Sequence, residues 1–98
     1  MKYIAKNEIV PRNIAGVYFL VDISERDYYI KKKIFSTNET GYTQFLIMKE
    51  LGSFSIEDIL CRFITLLTDY EESMYGQIYK DTKAFVMSLI AAGYLKEA

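Results

Sequence analysis

The hydrophobic pattern of this chain changes period once, and that change limits the fold more than any other feature. Up to Phe35 the apolar runs are short, β-branched and aromatic; from Asn38 onward apolar residues recur at helical spacing behind capping residues. Strands therefore come first and helices second. VYFLVD (Val17–Asp22) follows Gly16 and ends in the polar cluster ISERD, and DYYIKKKIF (Asp27–Phe35) returns, predicting a hairpin that turns about Ser24–Arg26. On the returning strand Tyr28, Ile30, Lys32 and Ile34 share one face, and Tyr29, Lys31, Lys33 and Phe35 share the other. Tyr3 to Val10 reads as a further strand closed by Pro11, which cannot donate inside a sheet.

The rest predicts three helices. Asn38 caps the first, which runs through Glu50 with Gly52 just beyond it. Tyr42, Phe45, Leu46 and Lys49 fall on one side, the lysine stem covering apolar surface. In FSIEDI, Ser55 caps the second helix, Asp58 occupies its third position and Phe54 staples onto Ile59. Ile56, Ile59, Leu60, Phe63, Ile64 and Leu67 then form one stripe, with Cys61 at its margin as a small packed thiol. Thr68–Ser73 is a loop, and a third helix spans about Met74 to Ala92 before Gly93. It has two apolar stripes, one of Ile78, Phe85 and Leu89 and one of Tyr79, Val86 and Ile90, so it has two neighbours or one neighbour and an open groove.

Ninety-eight residues make one domain, residues 1–98, with an ordinary globular composition. Histidine is absent and cysteine occurs once, which removes the commonest general base, the commonest zinc ligand and any internal disulfide. There is no nucleophile elbow, phosphate loop or metal spacing, so no catalytic residue, metal site or cofactor is expected and the chain reads as a non-enzyme. A net charge of −1 argues against a nucleic-acid partner. The first ten residues lack a secretory h-region, and no apolar run approaches the roughly 20 residues of a membrane span, which points to a cytoplasmic protein.

Strands followed by three helices give an α+β class resembling a winged helix-turn-helix: a three-stranded antiparallel sheet followed by three helices. Four segments carry a more specific likeness: GVYFLVD, TNETGYTQFL, LGSFSIEDIL and KDTKAFVMSLIAAGYL. In order and spacing, across roughly Val10 to Leu95, they resemble the PqqD-like proteins, recognition elements for the precursors of ribosomally made, post-translationally modified peptides. Thr37 stands where that family usually has Leu, Thr82 where it has Val, and the triple lysine is not a general family feature.

The resemblance implies a leader peptide bound as an added strand on the third strand, in the groove between that strand and the third helix. The implied binding residues are Tyr28, Tyr29, Ile30, Lys31, Lys32, Lys33, Ile34 and Phe35 as the floor, and Tyr79, Lys83, Val86 and Ile90 as the wall. It further implies delivery to a modifying enzyme (radical SAM, cyclase or similar) or a leader peptidase. Lys31–Lys33 have two compatible readings: they keep the sheet edge from pairing promiscuously, or they attract an acidic leader. The alternatives are a winged-helix DNA-binding regulator and a scaffold subunit, and the free sheet edge also offers a route to a homodimer.

Overall fold

The computed structural model describes residues 1–23 and 34–98. Over these residues the chain is α+β, with two small antiparallel sheets and three α-helices. In order it forms β1 (Tyr3–Ala5), β2 (Ile9–Ile14), β3 (Val17–Asp22), β4 (Ile34–Thr37), α1 (Glu39–Leu51), β5 (Ser53–Phe54), α2 (Ile56–Thr65), α3 (Tyr75–Ala91) and β6 (Leu95–Glu97). A 3-10 turn at Glu72–Met74 leads into α3. One sheet has the order β2-β3-β4 and the other β5-β1-β6.

The strand read as Tyr3 to Val10 is two strands in two different sheets. The chain reverses at Asn7 and Glu8, where the Ile9 amide donates to the Lys6 carbonyl at 3.1 Å. Pro11 does not close a strand but lies inside β2, opposite Leu20. It is accommodated because β2 is an edge strand, where a missing N–H costs the ladder least. Ala15 and Gly16, both at positive φ (51° and 80°), make the two-residue turn that joins β2 to β3.

β3 occupies the span expected of it and pairs with β4 in the register Tyr18↔Thr37, Leu20↔Phe35 and Val21↔Ile34. The expected turn at Ser24–Arg26 lies outside the described residues, as does the rest of the segment 24–33. A regular ladder closing at Ser24–Arg26 would set Val21 against Tyr29; its observed partner is Ile34.

All three helices lie within a residue or two of their expected bounds. In α1 the Asn38 side-chain oxygen accepts from the Gly41 amide at 2.8 Å, and Gly52 ends the helix at φ 77°. In α2 a capping box forms: the Asp58 amide donates to Ser55 Oγ at 3.1 Å, and the Ser55 amide donates to the Asp58 carboxylate at 2.9 Å. Arg62 pairs with Glu50 across the exposed side of α1 and α2.

One core holds the molecule together, built from Leu20 of β3, Phe45 and Met48 of α1, Phe54, Ile59 of α2, Val86 and Leu89 of α3, and Tyr94. The α1 stripe is rotated from its expectation. Gly41, Gln44, Phe45 and Met48 face inward, while Leu46 is exposed. These four keep helical spacing, but a glycine and a glutamine hold two of the places, so an apolar count passes over them. Tyr42 is half-buried against the Tyr18 ring, centroids 5.0 Å apart. The Lys49 ammonium donates to the Lys6 carbonyl at 3.0 Å and sits 5.8 Å from the centre of the Phe45 ring. Burial lowers its pKa, against the raising effect of Glu8. Cys61 is exposed rather than packed, because Ile59, Leu60 and Phe63 set the inward side of α2 and carry it toward solvent.

Candidate functional site

The two edges of the β2-β3-β4 sheet are not equivalent. β2 carries Pro11, with no N–H to offer a further strand, whereas β4 is made of residues that all keep theirs. Among the described residues β4 pairs only with β3, and none of the described strands covers its outer side. Ile34, 62% exposed, and Ser36 alternate with Phe35 and Thr37, which are half-buried. The Phe35 ring meets Phe85 of α3 edge-on at 6.3 Å and lies 5.9 Å from the Tyr94 ring. These contacts lock β4 to α3 at one end.

Beside that lock a cleft of about 700 Å³ opens between the β4–α1 junction and the α2–α3 pair, within the size range of ligand pockets. One wall is short and polar: Ser36, Thr37, Asn38 and Thr40. The other is apolar: Phe63 of α2 and Leu67 just beyond it, and Met74, Ile78 and Phe85 from the α3 side. Gln44 and Thr82 also line it; they are 2% and 0% exposed, and the glutamine amide donates to the threonine hydroxyl at 2.9 Å. The Thr82 hydroxyl, though buried, thus has its partner in place. Asp81 is the sole charged lining residue among those described.

Gly41 brings the walls together. A Cβ there would fall on the Thr37 hydroxyl and 3.2 Å from the Phe85 ring, so a side chain would wedge β4 and α3 away from α1.

The expected binding residues separate into three groups. Tyr28, Tyr29, Ile30, Lys31, Lys32 and Lys33 lie outside the described residues. Ile34 and Phe35 are on β4, as expected. The four residues expected as the wall on α3 fall in two places. Val86 is 0% exposed and belongs to the core, and Ile90 packs half-buried against it. Tyr79 and Lys83 line a different surface, a shallow apolar hollow on the outer side of α3 with Tyr75, Lys80 and Met87. The residues of α3 that line the cleft are Ile78, Asp81, Thr82 and Phe85. A wide apolar arc on a helix shows that two sides are covered, but not which side the sheet takes.

Among the described residues, no group of three or more His, Cys, Asp or Glu side chains is placed to hold a metal ion, and no helix is long and apolar enough to cross a membrane. No family model, curated protein or solved structure matches the chain.

Proposed function

We propose that this chain is a peptide-binding module of the PqqD-like kind, which takes the leader segment of a ribosomally made precursor as an extra strand on β4. The observation that carries this reading is the edge of β4, which no other described strand covers, beside the cleft that β4 shares with α3. Main-chain hydrogen bonds to the edge supply affinity in such a mode, and pockets for alternate side chains supply specificity. The apolar wall of Phe63, Ile78 and Phe85 offers such a pocket, and the Pro11 edge does not compete for the guest. The three-stranded sheet β2-β3-β4 with three helices after it, capped at Asn38 and Ser55 where α1 and α2 begin, supports the family likeness.

On this reading the module has no chemistry of its own. It works in the cytoplasm by tethering, which raises the concentration of the precursor at a modifying enzyme or leader protease. The test is a titration of the full chain with the leader peptide encoded nearest to it, at low and high salt, beside a duplex DNA control. Binding of the leader that falls little with salt is the expected result. Binding of the DNA instead, with affinity falling steeply as counterions compete, would make the chain a nucleic-acid binder.

A further inference from the structure

Building on the strand-addition reading, we infer that the cleft selects an extended segment in which a lysine or arginine stands two positions from a large apolar residue. Among the described residues the charge in the cleft has one sign. Asp81 lies on α3 between Ile78 and Phe85, and its carboxylate accepts from the Gln77 amide at 2.8 Å, which orients it. No lysine or arginine of the described residues pairs with it. The turn that supplies Met74 also carries Glu71 and Glu72, of the same sign. The opposing positive field of the α1 N-terminus is already met by the Asn38 cap and by Glu39 in the first turn.

The spacing follows from geometry. Asp81 and Phe85 are four residues apart on a helix, about 6 Å along its axis. Same-face residues of a strand are about 6.7 Å apart, so neighbouring guest side chains that face the cleft can meet both. A lysine or arginine suits the place because its stem can cover the apolar wall while its head reaches the carboxylate at the rim. A guest with an acid there meets like charge and is rejected.

The test is selection of random twelve-residue peptides on the full chain and on its Asp81→Lys variant. Peptides selected on the native chain carry Lys or Arg two positions from Leu, Ile or Phe. On the variant the basic residue is replaced by Asp or Glu, and native-selected peptides bind about five-fold more weakly, as expected for losing a rim ion pair. Asp81→Asn, a gentler change at an exposed position, removes the preference without reversing it. An acidic or uncharged residue at that place on the native chain, or an unchanged basic preference on Asp81→Lys, overturns the inference. If such peptides still protect amides of Ile34–Thr37 from hydrogen exchange, strand addition stands and only the charge rule fails. If no selected peptide protects them, strand addition fails and the inference with it.

Discussion

Ala15 is the residue most at odds with its own backbone. Its φ of 51° belongs to the left-handed region, which costs a residue with a Cβ about 1 kcal/mol or more. Two-residue hairpin turns with positive φ at both places favour Asn-Gly, and Gly16 already fills the second place. Ala15→Asn is therefore expected to stabilise the chain by about 0.5–1 kcal/mol, seen as a rise of a few degrees in thermal midpoint. Gln44 and Thr82 make a second residue-level case. Thr82→Val keeps the shape but leaves a buried amide donor unpaired, at a cost of about 1–3 kcal/mol in urea unfolding. Adding Gln44→Leu removes the orphan and is expected to recover most of that loss, so the pair is strongly non-additive.

Among the elements, α2 is the one whose start is fixed most completely by local chemistry, and the sequence pattern reads it directly. Ser55→Ala removes the side-chain cap and is expected to cost about 1 kcal/mol. The capping box also carries a pH signature. The Ser55 amide, then its hydroxyl and the charge of Lys2, hold the Asp58 carboxyl below the usual carboxylate range, with desolvation opposing them. A carboxylate whose pKa is depressed on folding contributes stability above its unfolded value, near 3.9, and loses it as the pH falls through the lower folded value. Denaturant unfolding between pH 6 and 2 should therefore show Asp58→Asn losing less stability on acidification than the native chain. An equal slope for both would remove the box from the acid response.

At the scale of the whole molecule, the features legible in sequence are those set by near neighbours. β3 and the three helices follow from alternation, caps and stripes that a short window contains. The β5-β1-β6 sheet does not, because its strands are two or three residues long and show no period; they are defined by partners distant in sequence, such as Tyr3 with Phe54 and Glu97. Pro11 misleads for a related reason, since only the sheet order reveals that β2 is an edge. The site was half legible. The β4 side could be read from Ile34 and Phe35, but the α3 side could not. Val86 and Ile78 both lie on apolar arcs of α3, and only the packing of Phe35 against Phe85 decides which arc meets the strand.

We propose above all that β4 and the cleft-facing side of α3 together receive an extended peptide. The most direct measurement is backbone NMR of the full chain titrated with the encoded leader, combined with amide exchange in the complex. The expected result is shifts centred on Ile34–Thr37, Gly41, Ile78, Asp81 and Phe85, with new protection of outward amides on β4 and little change at Tyr75 or Met87. Shifts centred on Tyr75, Lys80, Lys83 and Met87, with the amides of β4 still exchanging freely, would contradict it.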